Sequence, residues 1–193
     1  LQAYVDKVSD EPLMKEAPKG GKIISEKEGD IYGSTKLVLS NGVTVYVKKT
    51  DFKADEIRMK GTSLGGKSIF PDKDALNFAV MDNVGGLGNF SQVDLTKVLA
   101  GKKVSVNAGL GATTENVFGT CSPKDFETMM QLTYLTFTAP RKDAEAFESF
   151  KNRMKAQLES AQANPLSSIN DSLQKAMYNN HPRVVMMKPE MVD

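Results

Sequence analysis

The sequence predicts an α+β fold: an antiparallel-rich sheet packed on one face by helices. Apolar residues alternate on both sides of Asn41-Gly42 and loosely across Val104–Leu110, the period of half-covered strands, and Thr113–Cys121, with Val117 and Phe118 as its bulk, reads as the strand returning from the latter. From Phe126 to Phe137 and from Phe147 to Ala161 they recur at helical spacing instead. Strands come first, then a hairpin, then helices, an order that gathers the helices on one side of a sheet.

In chain order, Leu1 to Gly21 is charged and broken by Pro12 and Pro18. Leu1, Tyr4, Val5 and Val8 read as the last turns of a preceding helix, and residues 1–21 together as an interdomain linker. Ile23-Ile24 opens a short strand that Gly29-Asp30 breaks. Leu37, Leu39, Val43, Val45 and Val47 flank Asn41-Gly42, which predicts a hairpin with a two-residue turn, both turn positions at positive φ. Ile57 and Met59 alternate with Arg58 and Lys60 as a third strand, and Gly61 to Gly66 reads as a loop. Pro71-Asp72 starts a helix through Ala75, Phe78, Ala79 and Asp82 that ends at Gly85-Gly86-Leu87-Gly88. Ser91-Gln92-Val93-Asp94 caps a shorter one through Leu99.

Gly111-Ala112 turns the second hairpin. Ser122-Pro123-Lys124-Asp125 then provides an N-cap, a proline at the first helical position and an acid three residues after the cap. The helix that follows carries Phe126, Met129, Met130, Thr133 and Phe137, with Leu132, Tyr134 and Leu135 filling much of the circumference, and so is expected to be buried. Pro140 stops it. Phe147, Phe150, Met154, Leu158 and Ala161 stripe the next helix. After Asn164-Pro165, a third turns Leu166, Ile169, Leu173, Ala176 and Met177 inward. Asn179–Asp193 shows no periodicity.

Composition narrows the function. The 193 residues make one domain with a tail, large enough for a core. Lys plus Arg at 25 against Asp plus Glu at 24 leaves no net field to attract nucleic acid or an acidic partner. Aromatics at 7% without tryptophan argue against a base-stacking surface. The single cysteine, Cys121, excludes an internal disulfide and a multi-cysteine metal site, and at a strand end it reads as a buried, inert thiol. No apolar run is long enough to cross a bilayer. The chain opens at Leu1 without an initiator methionine or signal peptide, as though excised from something longer.

Two catalytic patterns fall on the same residues. Gly61-Thr62-Ser63-Leu64-Gly65-Gly66-Lys67-Ser68 satisfies the phosphate-loop pattern. That chemistry needs a buried parallel strand before the loop and a helix opening at the lysine. Arg58 and Lys60 in the strand and Pro71 just beyond oppose both, and Phe78–Asp82 only mimics an apolar strand ending in a magnesium-binding acid. Gly61–Gly65 also spells a nucleophile elbow, but the one histidine, His181, lies in the unpatterned tail, and Gly65-Gly66 oppose a helix starting at Ser63. One histidine cannot build a catalytic zinc site. Glu145 and Glu148 read as a solvated helix face.

Leu39-Ser40-Asn41-Gly42-Val43-Thr44-Val45-Tyr46-Val47 resembles the opening hairpin of a half-domain in the pitrilysin/insulinase-type zinc metallopeptidases. Val104 to Phe118, with Asn107-Ala108 and Thr114, resembles the hairpin after that family's zinc helix. Thr136-Phe137-Thr138-Ala139-Pro140-Arg141 and the helix Phe147–Leu158 match the usual sequel, so the resemblance runs from about Lys22 to the C-terminus. Catalytic halves carry H-x-x-E-H on the first long helix and a distal glutamate later. Here the first helix reads Ala75-Leu76-Asn77-Phe78-Ala79-Val80-Met81-Asp82-Asn83, and Lys155-Ala156-Gln157 stands where the distal ligand is expected.

The resemblance therefore implies that residues 22–193 are the inactive half, short of its last helix and strand, which closes over the catalytic half as a clamshell. It implies no cofactor in this segment and zinc in the catalytic half elsewhere. The implied partners are that half, on the same polypeptide or a partner subunit, and a peptide substrate. The strand Val104–Gly109 would lie at a sheet edge, with Asn107, Ala108 and Gly109 as the residues that admit a peptide. A bacterial periplasmic or envelope location is expected with it. The alternatives are a scaffold subunit of a relative without proteolysis and, more remotely, a nucleotide-binding or serine-hydrolase enzyme using Gly61–Ser68.

Overall fold

The first six strands of the chain form two separate antiparallel sheets rather than one. The computed structural model describes residues 11–29, 32–74, 77 and 84–192. Two compact units divide it: Met14–Glu56, and Ile57–Asp193 together with the segment up to Leu13.

In the smaller unit β1 (Ile23–Glu28), β2 (Thr35–Leu39) and β3 (Thr44–Val47) pair in that order. Leu37 stands opposite Val45 and Val38 opposite Thr44. The turn differs from the expected two-residue form. Leu39 N–H donates to Val43 O at 2.9 Å and Gly42 N–H to Leu39 O at 2.9 Å, so the loop has three residues, Ser40 to Gly42. Gly42 alone takes positive φ, 86°, while the Asn41 side chain accepts from Val43 N–H at 3.2 Å. A two-residue turn would have set Leu37 opposite Tyr46; the extra loop residue, with its left-handed glycine bulge, shifts the register by one and puts Leu37 and Val45 on one face.

The larger unit is built on β4 (Ile57–Leu64), β5 (Val104–Leu110) and β6 (Thr114–Cys121), with β6 central in the order β4-β6-β5. The strand β4 continues through Gly61–Leu64, which the sequence had suggested was a loop. Gly61 stands opposite Val117, whose methyl group would lie 2.7 Å from any Cβ there, so glycine is needed in the ladder itself. Four helices follow the pattern: α1 (Gln92–Val98), α2 (Phe126–Thr138), α3 (Ala144–Gln162) and α4 (Pro165–Met177). The expected helix over Ala75–Asp82 and the helical turns over Leu1–Val8 fall outside the described residues, apart from Asn77. A short 3₁₀ turn at Asp72–Asp74 marks the start at Pro71-Asp72.

Helix α2 packs on β5 and β6, but it is covered on one side only. Thr128, Met129, Leu132 and Leu135 are buried, whereas Phe126, Met130, Tyr134 and Phe137 are exposed. Met129 is fully enclosed because Gly119 of β6 leaves it room: a Cβ at Gly119 would sit 2.8 Å from Met129 Sδ and 3.0 Å from Met59 Cε. The apolar wheel of α2 is thus two faces, one used by the sheet and one left open.

Helix α4 departs further from expectation. Leu166, Ile169, Leu173 and Met177 are exposed rather than inward. The half-buried face is the polar one. Lys175 pairs with Asp171 at 2.7 Å, and Asn170 Nδ2 reaches Met186 Sδ in the C-terminal tail at 3.9 Å. Periodicity correctly gives the stripe but carries no sign for which side of the helix meets its own chain.

Met129→Ala should cost about 2–5 kcal/mol, as emptying a closed core site does, whereas Phe137→Ala should cost no more than about 0.5 kcal/mol. Urea unfolding of the two variants checks this one-sided packing, and equal losses would contradict it.

A candidate functional site at the open edge of β5

The site begins where the second hairpin meets α2. Ser122 N–H donates to Lys103 O at 2.9 Å, closing the base of the β5–β6 hairpin, and Gly111 N–H donates to Thr114 O at 2.7 Å at its tip. Residues opposite each other in an antiparallel ladder alternate between bonded and non-bonded pairs. With Lys103–Ser122 and Gly111–Thr114 both bonded and the register continuous between them, Ser105, Asn107 and Gly109 direct their backbone groups at β6. Val104, Val106, Ala108 and Leu110 direct theirs away from it.

Asp125 fixes this base to α2. Its Oδ2 accepts from Ser122 Oγ at 2.6 Å and from Lys103 N–H at 2.9 Å. The Ser122 hydroxyl therefore donates to the acid instead of accepting from the backbone as an N-cap would, and Pro123–Asp125 forms a 3₁₀ turn ahead of the helix. Those two hydrogen bonds, the hydroxyl's first, hold the Asp125 carboxyl below its ordinary value of 3.8. The predicted box at Ser91 behaves as expected: its Oγ accepts from Asp94 N–H at 3.1 Å and donates to Asp94 Oδ2 at 2.6 Å.

A second corner holds α3 in place. Leu87 is buried in a glycine-rich loop that bridges both Phe90 and Pro140. Arg141 N–H donates to Gly86 O at 3.1 Å, and its guanidinium to Gly85 O at 2.9 Å. The same guanidinium pairs with Asp143 at 2.7 Å, and Asp143 caps α3 by accepting from Ala146 N–H at 3.0 Å. A Cβ on Gly85 would lie 2.1 Å from Arg141 O, so only glycine admits this approach.

Between these corners lies a cleft of about 650 Å³ bounded by α1, β5, α2 and α3. Four consecutive residues of β5, Val104 to Asn107, line it. Successive side chains of a strand point to opposite faces, so four in a row can border one cleft only along the strand's edge. Leu132 and Thr136 of α2 form one wall and Phe150, Arg153, Met154 and Gln157 of α3 another.

Of the three residues predicted to admit a peptide, Ala108 sends its N–H and C=O to the open edge, while Asn107 and Gly109 pair with Phe118 and Asn116 of β6. Asn107 borders the cleft, its side chain donating to Ser105 Oγ at 3.1 Å, and a Cβ at Gly109 would meet open space. Sequence reasoning missed the α3 wall. The available signal was Arg153, a cation on the flank of the Phe150–Met154 stripe.

The Gly61–Ser68 segment cannot cradle phosphate. Three of its backbone N–H groups are already bound: Gly65 to Thr113 O at 3.0 Å, Lys67 to Gly111 O at 2.9 Å and Ser68 to Ala112 O at 2.9 Å. Gly66, at φ 59°, lies so close to the second hairpin that a Cβ would meet Gly111 O and Thr114 N at 2.6 Å. From the tail, Arg183 donates to Lys67 O at 2.8 Å, to Phe70 O, and pairs with Asp72. Lys67 is half-buried rather than solvated. Ser63 lies inside β4 rather than at an elbow, and His181 Nδ1 accepts from Arg183 N–H at 3.2 Å. Cys121 is buried, and burial first, then the Asp125 charge, push its thiol up, away from the reactive thiolate.

No family model matches the chain. A relative described as "Zinc protease PQQL-like", from Arabidopsis thaliana, is 33% identical over 129 residues, which are 66% of this chain and 11% of that protein. Among solved structures, the periplasmic protease PqqL of Escherichia coli superposes with a TM-score of 0.78 at 19% identity, over 100% of this chain and 21% of its own. A variant of the ferredoxin protease FusC, in complex with Arabidopsis ferredoxin, gives 0.72 at 16% identity over 99% and 22%. A Helicobacter pylori protease gives 0.56 at 12% identity over 89% and 40%. The chain therefore shares its fold, α+β with antiparallel sheets and helices, with a part of each of these proteases. With the sequence relationship added, the chain belongs to the pitrilysin/insulinase-type zinc protease family, of which it spans a small part of a full-length member.

Lowering the pH tests the Asp125 junction. A carboxyl held down in the folded state contributes stability that is present above about pH 4 and is lost as pH falls through its folded value. The melting temperature should therefore drop below about pH 4, and less steeply in Asp125→Asn, which starts less stable at neutral pH. A parallel acid limb in both proteins would remove Asp125 from the account. For the glycine segment, Gly66→Ala should cost at least about 2 kcal/mol, because backbone atoms occupy the space and φ is left-handed. Lys67→Ala should cost at most about 1 kcal/mol, and ATP should leave both melting temperatures unchanged.

Proposed function

We propose that this chain is the non-catalytic half of a two-half zinc metalloendopeptidase, enclosing the peptide substrate and stabilising the catalytic half. The observation that carries the reading is a member of a zinc-protease family whose sequence has one histidine, His181, and neither H-x-x-E-H nor a distal glutamate at the matching positions. Three protein ligands are the minimum for catalytic zinc. The zinc would sit in the other half, and this chain's task is to hold substrate against it.

Two features support the two parts of that task. The outward backbone groups of Val106 and Ala108 offer a strand edge to an extended peptide. β4, the other edge of the sheet, carries Arg58 and Lys60, charges that discourage pairing, while Val104–Leu110 carries none. The uncovered stripes Leu166–Met177 on α4 and Phe126–Phe137 on α2 are surfaces that the catalytic half would cover. A neighbour in fold that was solved with a protein bound, ferredoxin, supports a polypeptide as the substrate class. The periplasmic setting of the E. coli neighbour supports an envelope location, and no described helix is long and apolar enough to cross a membrane.

In the two-half protease, Ala108→Pro removes one outward N–H without breaking the β5–β6 ladder. We expect the KM for a peptide substrate to rise several-fold at unchanged zinc content. An unchanged KM in a folded variant leaves the chain as a lid without peptide contact. Zinc bound stoichiometrically to this chain, and lost with peptidase activity on His181→Ala, would return it to the catalytic class.

A further inference from the structure

The cleft beside β5 contains one charge. Its walls mix apolar side chains, such as Leu95 and Leu99 of α1, Leu132 of α2 and Phe150 and Met154 of α3, with neutral polar ones, such as Ser105, Thr136 and Gln157, and among the described residues Arg153 is the only ionised side chain lining it. The chain's other arginines are engaged. Arg141 holds Asp143 and Gly85, Arg183 holds Asp72, Lys67 and Phe70, and Arg58 also has a partner. Arg153 forms neither an ion pair nor a hydrogen bond among the described residues. The reason lies in the sequence: the positions three and four residues away along α3 are Phe150, Ala156, Ser149 and Gln157, with no acid to meet it.

An unpaired guanidinium in a cleft that holds no other charge among the described residues is complementary to a carboxylate. The planar fork of arginine binds a carboxylate through two parallel hydrogen bonds, and because Arg153 is exposed the pair stays partly screened by water and salt. We propose that this cleft is a carboxylate-recognising subsite for a peptide lying along β5, with Arg153 as the recognising group. The proposal rests on the strand-addition reading above and adds a chemical preference to it.

The geometry delivers the group. A chain added to the open edge of β5 alternates its side chains as β5 does. Those on the side of Val104 and Val106 point into the space between β5 and α3, where Phe150, Arg153 and Met154 stand. The carboxylate can come from an aspartate or glutamate within the peptide or from its free C-terminus.

Fluorescence anisotropy on the intact protein separates these sources. Three labelled peptides share one extended apolar sequence: internal Glu with an amidated end, internal Gln with an amidated end, and internal Gln with a free carboxylate. We expect one carboxylate-bearing peptide to bind about three- to tenfold more tightly than the neutral one, the range of a partly screened charge-assisted pair. That advantage should vanish in Arg153→Gln and shrink at high salt. An internal Glu preference identifies an acidic side chain as the ligand, and a free-end preference identifies the C-terminus. Equal binding of all three peptides, abolished by Ala108→Pro, overturns the Arg153 assignment and leaves strand addition standing. A carboxylate preference that survives Ala108→Pro keeps Arg153 and removes strand addition. A preference unchanged by Arg153→Gln, or no binding by any of the three, overturns the subsite.

Discussion

Lys103 and Ser122 meet at the base of the second hairpin, where one backbone hydrogen bond of 2.9 Å sets the parity of the β5–β6 ladder. Because bonded and non-bonded pairs alternate, this closure decides which residues of β5 face β6 and which face outward. A shift of one residue would turn Ala108 toward β6 and would exchange the two faces of the strand at once. Asp125 holds the same point to the helix layer by accepting from both Ser122 and Lys103. The open edge, the position of α2 and one wall of the cleft therefore share a single anchor.

From that anchor the packing follows in steps. α2 starts directly after Asp125 and lays Met129 over Gly119, where the absent side chain makes the room. Its end is fixed by the Pro140-Arg141 segment against Gly85-Gly86, and the Arg141–Asp143 pair carries the path on into the cap of α3. α3 thereby supplies Phe150, Arg153, Met154 and Gln157 as one wall of the cleft that β5 also borders. The glycines at 61, 66, 85 and 119 mark places where a Cβ would meet a neighbouring segment closely. Their crowding explains why a phosphate-loop pattern arises here from packing alone.

The sequence made much of this legible. Apolar patterning pointed to all six strands, and the Ser91-x-x-Asp94 box marked α1 because a cap is a local interaction between residues three apart; at Ser122 the same pattern marked where α2 begins, although the serine donates to Asp125 instead of capping. Family membership was legible from the two hairpins and the Pro140-Arg141 sequel in combination. Three things were not. Gly61–Leu64 looked like a loop because glycine and small polar residues are poor strand formers in isolation; Val117 across the ladder supplies the reason for Gly61. The hairpin at Asn41-Gly42 has a bulge, since Asn-Gly suits more than one turn. α4 faces the other way, because a stripe on a helix has a direction only once a neighbour is present.

Local chemistry was thus enough to determine the order of the described elements, the caps at Ser91, Asp143 and Asn164, the inert cysteine's place at a strand end and the absence of a histidine-based zinc motif from this sequence. These depend on residue types at short spacing or on simple counts. The tertiary structure alone decided that the strands divide into two sheets, that Ala108 rather than Asn107 or Gly109 offers its backbone to the edge of β5, and that Arg153 stands unpaired among the described residues in the cleft beside it. Each of those is a relation between segments tens of residues apart. It is fixed by hydrogen-bond parity and side-chain packing, which no single stretch of the chain contains.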